Sequence, residues 1–194
     1  MANRVHEGPW RDENGKRILQ CHSRGYKERI GGREVPLFSP FGVTLRYNGH
    51  VDSLENHYMR SKVFDLGSER LDYGCDFRLA RQYQRAGKRI IGWNFGTGFN
   101  ESKHPKATAM AVDEWGVQFY IGLWYAFLRS PEGCRRLAIA RDFDEFEDPF
   151  KGTFPFGQDC VIRLAVREGT QALLPMCIEV RDKLVQRKIE VLIP

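Results

Sequence analysis

Residues 38–64 read FSPFGVTLRYNGHVDSLENHYMRSKVF, and this stretch decides how the rest of the chain is interpreted. Its first half alternates apolar and polar side chains from Val43 to Tyr47 and closes on Asn-Gly at 48–49, which predicts a β-strand and a turn. Its second half begins at Ser53, a typical N-cap residue, and continues to Phe64 without Gly or Pro. The stretch therefore predicts a strand, a turn and a helix over 54–64.

Outside this stretch, the spacing of apolar residues predicts two more strands and several helices. The strands are expected at 17–22 and 88–93, and the helices at about 73–86, 112–129, 130–139, 158–167 and 178–188. Strands and helices do not alternate regularly, so the order favours an α+β fold, with a small mixed sheet surrounded by helices, over a doubly wound sheet.

One domain is expected from a chain of 194 residues that is 42% hydrophobic, and we place it at residues 17–194. Residues 1–16 are rich in turn-forming side chains and predict a flexible N-terminal arm. The arm is polar, and no window approaches 18 uncharged apolar residues, so we expect a soluble, cytoplasmic protein with no membrane contact.

The charge of the chain favours an anionic partner. The formal net charge is +5 and the isoelectric point is near 9.0, so a nucleotide and a nucleic acid both qualify as partners. The five cysteines and five histidines form no CxxC, HxxxH or HExxH pattern, which argues against a zinc site and a disulfide framework. The sequence predicts neither a metal nor another cofactor.

Glu55 and Lys62 are the first candidate functional pair. On a continuous helix they would lie about 20° apart around the axis and about 10 Å apart along it, too far for a pair within one turn. Each therefore needs water, another segment or a ligand as its partner. The alternative is that both are ordinary surface charges.

A resemblance to a known family bears on this pair. The run Phe38-Ser39-Pro40-Phe41, a strand with an Asn-Gly turn, and then Ser53, Glu55 and Lys62 resemble the opening signature of the NADAR superfamily. Members of that family have F-[SL]-[NP]-F ahead of a helix with S-x-E-x₆-K. They are N-glycosidases acting on nucleotide-derived N-ribosides, including intermediates of riboflavin breakdown and ADP-ribose attached to guanine.

The resemblance implies a NADAR-like fold, with Glu55 as the active-site acid and Phe41 and Tyr58 as candidates for the wall facing the base or ribose. It covers residues 37–64. Family members also carry a late acid, a Trp-Gly pair and a helix beginning N-[RK]-[LI]-G, whereas here the Trp-Gly pair is missing and Gln158 stands in place of the Asn. The implied relationship is to a divergent branch.

A second candidate site lies at residues 142–148, where five carboxylates occur within seven residues. Phe143 and Phe146 recur at a spacing that can bury one side of this segment while the acids crowd together. An acid desolvated there would have a raised pKa and could donate a proton, a role we assign to Glu145 or Glu147. The alternatives are a solvated acidic turn and, with less support, a cation site.

Two further patterns could contact phosphate or a base. Arg78, Arg81 and Arg85, followed by Lys88 and Arg89, form a basic stripe that suits either phosphates or a solvated helix face. The glycine-rich run 92–100 begins beside Trp93 and matches either a phosphate-binding loop with a stacking indole or an ordinary flexible loop.

The sequence thus predicts an N-glycosidase-type enzyme acting on a nucleotide, an ADP-ribose derivative or a modified nucleobase. Two alternatives stay open: a transferase or modifying enzyme acting on bases in DNA or RNA, and a non-catalytic nucleotide-binding protein. The candidate catalytic residues are Glu55, Lys62, Glu145 and Glu147. The candidate substrate-binding residues are Ser39, Phe41, Tyr58, Trp93, Gln158 and Asp159.

Overall fold

A computed structural model describes residues 10–30, 32–47, 49–65, 77–93, 109–148, 157–177 and 190–192. The helices in this part of the chain are α1 (Leu54–Arg60), α2 (Phe77–Arg85), α3 (Ala109–Leu128), α4 (Pro131–Ala140), α5 (Gln158–Glu168) and a 3-10 helix (Thr170–Cys177). All of them except the 3-10 helix were expected from the sequence. The helix predicted at 178–188 lies outside the described residues.

The strands of the described residues are short. They are β1 (Trp10–Arg11), β2 (Arg17–Gln20), β3 (Lys27–Ile30), β4 (Arg33–Pro36), β5 (Thr44–Tyr47), β6 (His50–Ser53), β7 (Lys62–Phe64), β8 (Ile90–Trp93), β9 (Glu145–Glu147) and β10 (Glu190–Leu192). Together with the helices they confirm the α+β class.

These strands form four small sheets where the sequence predicts one. The first has the order β1-β2-β9 and is mixed, because β1 is antiparallel and β9 parallel to β2. The second has the antiparallel order β10-β5-β6, and β3-β4 and β7-β8 are antiparallel pairs. Residues 10–11, inside the predicted flexible arm, form β1, and residues 1–9 lie outside the described residues.

The hairpin β5–β6 forms where the alternating strand and the Asn-Gly turn are predicted. Tyr47 pairs with His50, and the intervening Gly49 has φ +78°, a conformation that glycine adopts at little cost. The hairpin leads directly into α1, whose N-cap Ser53 accepts a hydrogen bond from the backbone N–H of Asn56 at 3.2 Å.

The predicted helix over 54–64 is too long at its C-terminal end. The helix ends at Arg60, Ser61 caps it, and the Ser61 hydroxyl donates to the carbonyl of His57. Lys62 then begins β7, which pairs with β8, so Glu55 and Lys62 do not share a helix face as the sequence reasoning assumed. Residues 62–64 are all buried and include Val63 and Phe64, side chains that suit a strand.

The core is built around α3. Its inward side chains Phe119, Leu123, Trp124 and Phe127 are buried, and the 3-10 helix, α4, α1 and β8 pack against it. Gly116 allows the backbone of α3 to pack directly against the Trp93 indole of β8, since a Cβ at Gly116 would lie 2.2 Å from Cζ2 of Trp93. Among the described residues, no helix combines the length and the apolar character needed to cross a membrane.

Candidate active site

The two halves of the 38–64 stretch meet at the N-terminus of α1. The backbone N–H of Glu55 donates to the carbonyl of Pro40 at 3.1 Å, and that of Leu54 donates to the carbonyl of Val43 at 2.9 Å. Ser39 is buried, and its hydroxyl accepts a hydrogen bond from the backbone N–H of Phe41. The loop before the hairpin therefore fixes the start of the helix that carries Glu55, and Ser39 serves this loop.

The Glu55 carboxyl group is half-buried, and among the described residues it forms neither a hydrogen bond nor an ion pair. Burial raises its pKa above the usual 4.5, because the charged form loses solvation. The positive charges of Lys62 and Arg81 oppose this rise, and the negative charge of Asp148 adds to it. Glu55 therefore holds a proton more readily than a solvated glutamate.

Lys62 is 5% exposed and reaches the same region from β7. Its Nζ donates to Oε1 of Gln84 at 2.9 Å, lies 3.2 Å from Sδ of Met59, and sits 4.5 Å from the centroid of the Tyr58 ring. Burial lowers its pKa to about 8, against the opposing effect of Glu55. Both members of the predicted pair thus lie in one low-dielectric region, reached from two elements.

An aromatic cluster lies beside this pair. The Tyr58 ring is 5.1 Å from that of Trp93, with 33° between the ring planes, and 5.1 Å from the Tyr120 ring, which meets it edge-on. Trp93 is only 3% exposed, so it supports Tyr58 and has little surface left for a base. Of these two predicted binding residues, Tyr58 is the more exposed.

Gln158 joins this cluster from the start of α5. Its Oε1 accepts a hydrogen bond from the Tyr120 hydroxyl at 2.8 Å, and its Nε2 donates to the carbonyl of Cys21 at 2.5 Å. Burial raises the pKa of Tyr120 well above 10, helped by the negative charge of Glu55. Asp159 is buried next to Gln158 in the chain and lies 3.7 Å from Arg163. The structure thus brings Gln158 to the Tyr58 side of the site.

The two acids predicted for proton transfer lie on β9 and are not among the charges that act on Glu55. Glu145 forms an exposed ion pair with Lys16 at 2.7 Å, and side chains alternate along a strand, so Glu147 shares the face of Glu145. The buried Phe146 occupies the opposite face. Asp148 comes directly after β9, and its charge acts on both Glu55 and Tyr120.

Phe41 and Arg81 form the exposed margin of the site. Phe41 is 46% exposed, and the guanidinium carbon of Arg81 lies 5.9 Å from its ring centroid and 5.7 Å from that of Phe77. Arg81 is exposed on α2, yet its charge reaches Glu55. The basic stripe predicted on this helix therefore borders the Glu55 region at Arg81.

Three functional candidates were missed by sequence reasoning or given no specific role: Asp148, Tyr120 and Gln84. Asp148 was one of five crowded acids in the sequence, and its position one residue beyond β9 separates it from Glu145 and Glu147. Tyr120 and Gln84 have no local signal, because only the packing of α3 and α2 brings them to the site.

No group of three or more His, Cys, Asp or Glu side chains in the described part of the chain is arranged to hold a metal ion. Comparisons of the chain with protein-family models, with curated proteins and with solved structures found no match.

Proposed function

We propose that this chain is a NADAR-like N-glycosidase that cleaves the bond between C1′ of a ribose and the nitrogen of a base. One observation carries the proposal: a half-buried glutamate with a raised pKa lies beside a buried lysine, next to an aromatic wall. Perturbed acids of this kind are typical of catalytic sites. The resemblance of residues 37–64 to the NADAR signature supports the same assignment.

In the proposed reaction, protonated Glu55 donates its proton to the departing nitrogen while the C1′–N bond breaks. The sugar passes through an oxocarbenium-like state, and water attacks C1′. The proton released by that water returns to the Glu55 carboxylate, so the products are the free base and the ribose. A glutamate with a raised pKa is suited to both steps, because its pKa is closer to the working pH.

The neighbouring groups have separate roles in this proposal. Asp148 takes the place of Glu145 and Glu147 as the second carboxylate and stabilises positive charge on the sugar. Lys62 keeps positive charge near Glu55, so that the carboxylate formed after proton donation is stabilised. Gln158, held by Tyr120, is assigned to the ribose hydroxyls.

The test is release of free base from nucleoside 5′-monophosphates, riboflavin-type N-ribosides and ADP-ribosylated guanine, followed by chromatography. We expect at least one of them to be cleaved, and Glu55→Gln to reduce turnover at least about a hundredfold. Glu34→Gln, on the exposed strand β4, is the control with unchanged turnover. Binding without cleavage would instead indicate a non-catalytic nucleotide-binding protein, and near-normal turnover of Glu55→Gln would remove the assignment.

A second candidate function, modification of a base within DNA or RNA, is favoured by the basic surface of α2. Arg78, Arg81 and Arg85 are all exposed, and Lys88 and Arg89 follow them. Contacts of several such cations with phosphates give an affinity that falls steeply with added salt. Binding of an oligonucleotide with that salt dependence, together with chemistry on its bases, would favour this function over action on free nucleotides.

A further inference from the structure

We propose that Arg81 is a specificity-determining residue that binds a phosphate group of the substrate, an inference that rests on the proposed function. Arg81 is held by two aromatic rings and forms no ion pair with an acidic side chain among the described residues. The chemical class of ligand is therefore a phosphorylated riboside, with the ribose at Glu55 and the phosphate at α2.

The first support is the way in which Arg81 is held. The rings of Phe41 and Phe77 lie 5.9 and 5.7 Å from its guanidinium carbon, within the range of cation–π contacts. Such contacts orient the guanidinium plane and leave its N–H groups available. A planar fork of donors matches two phosphate oxygens at once, which a lysine cannot do.

The second support is the orientation of α2. Residues three apart on a helix share a face, and Arg81 and Gln84 have this spacing. Gln84 is fixed by its hydrogen bond from Lys62 at 2.9 Å, so the face that carries Arg81 is turned toward the Glu55 region. Arg81 also lies beside the ring of Phe41, the residue after Pro40, whose carbonyl accepts the backbone N–H of Glu55 at 3.1 Å, so the guanidinium lies at the end of α1 that carries Glu55.

The third support is the exposed ring of Phe41. Phe41 and Val51 are the large apolar side chains that the described residues expose most, and Phe41 lies directly beside Arg81. A ring and a guanidinium side by side present an apolar surface and a cation to one ligand. This combination suits the sugar-phosphate part of a nucleotide, which has both an apolar face and charge.

The experiment measures binding of ribose 5-phosphate and of ribose by titration calorimetry with the full chain. Ribose 5-phosphate represents the sugar product of any nucleoside 5′-monophosphate, so the readout does not require knowledge of the base. We expect the wild-type protein to prefer ribose 5-phosphate at least about tenfold, since a charge-assisted contact typically contributes that much. Arg81→Gln should abolish the preference and leave the weak binding of ribose unchanged.

Arg85→Gln is the matched control. It removes the same charge from the same helix, one turn further on, and Arg85 is not among the charges that act on Glu55. We expect it to retain the preference within about twofold. Titration with a short single-stranded DNA distinguishes a single phosphorylated sugar from a nucleic acid as the source of the phosphate. A nucleic acid contacts several cations of α2, so its affinity should fall in both Arg81→Gln and Arg85→Gln.

Three results would overturn the proposal: no preference for the phosphorylated sugar, retention of the preference in Arg81→Gln, or equal losses in the two variants. These outcomes are distinguishable from failure of the proposed function. Glu55→Gln should bind ribose 5-phosphate normally and lose turnover, whereas Arg81→Gln should lose the phosphate preference first. A protein that binds phosphate through Arg81 and cleaves nothing would retain this inference without the glycosidase.

Discussion

Replacing Lys62 by Met should raise the free energy of unfolding of the protein, because it removes a buried charge. Met has nearly the length of the lysine side chain and no charge, so it fills the same space beside Tyr58 and Met59. Lowering the pKa of Lys62 from 10.5 to about 8 corresponds to about 3 kcal/mol of free energy lost by keeping the charged form in the folded state. Loss of the hydrogen bond to Gln84 offsets about 1 kcal/mol of this.

The net expectation for Lys62→Met is a gain of about 2 kcal/mol in the free energy of unfolding at pH 7. The lowered pKa of Lys62 also sets the direction in which stability changes with pH. The pKa of Lys62 is lower in the folded chain, so between pH 8 and 10.5 the unfolded chain binds more protons. The contribution of Lys62 to stability therefore rises with pH through that window, and the advantage of the variant should shrink as pH rises.

Urea denaturation at pH 7 and at pH 10, with far-UV circular dichroism, measures both effects. Lys88→Met is the control, because Lys88 is exposed and follows α2 without contributing to the buried site. A variant less stable than wild type at pH 7 would refute the reasoning. So would an advantage that is the same at both pH values, since the gain would then have a cause other than the buried charge.

Two other substitutions test how the site is supported. Gly116→Ala places a Cβ 2.2 Å from the Trp93 indole and should lower the free energy of unfolding by about 1–3 kcal/mol, measured by urea denaturation. Adding Trp93→Phe to this variant should restore much of the lost stability. If Gly116→Ala alone leaves stability unchanged, the indole is free to move away from the new methyl group. Arg136→Met breaks a buried ion pair with Glu132 and should lower the free energy of unfolding by about 3–5 kcal/mol in the same measurement. Arg135 is the exposed partner of Glu132, and Arg135→Met should change the free energy of unfolding by less than about 0.5 kcal/mol. Equal losses of stability in the two variants would contradict a special cost of breaking the buried pair.

Sequence patterns were sufficient where the determinants are local. The apolar spacing along α3 and the Ser130-Pro131 start of α4 both lie within the elements that they specify, and the structure confirms both elements. The hairpin β5–β6 is likewise specified by alternation and by a two-residue turn. These signals need no information from distant parts of the chain.

Elements that depend on distant pairing were not predictable in the same way. β7 follows α1 without Gly or Pro, and its strand conformation depends on pairing with β8. β3 and β4 are mostly exposed and charged, so they show no apolar alternation. β9 is a three-residue strand in an acidic segment that pairs in parallel with β2 from the start of the chain. Local periodicity carries no information about any of these partners.

In the candidate site, too, some residues are specified by local sequence and others by the packing of distant elements. Glu55 could be singled out, because its cap and its neighbours in the loop are close in sequence. The sequence singled out Glu55 and Lys62 as a pair by placing both on one face of a continuous helix. That placement was wrong, because Glu55 lies on α1 and Lys62 on β7. Arg81 was one of several arginines on a stripe, and only the position of α2 distinguishes it from Arg78 and Arg85.

The chain itself shows how buried charges look when they serve the fold. Glu132 and Arg136 are each about 1% exposed; their ion pair is 2.9 Å long, and Arg136 also donates to the carbonyl of Leu37 at 3.1 Å. Each charge there has a partner at hydrogen-bond distance, as burial in a low dielectric requires.

Glu55 and Lys62 differ from that pair in the property that matters for chemistry. Burial displaces the pKa of each toward neutrality, and within the described residues the Glu55 carboxyl group has no hydrogen bond that would fix its proton. Both groups therefore disfavour their charged forms in the folded state, which costs stability near pH 7. A ligand that gives the Glu55 carboxyl group a hydrogen-bond partner would offset part of this cost, and the Arg81 guanidinium, which forms no ion pair within the described residues, lies beside Phe41 at the margin of the same region.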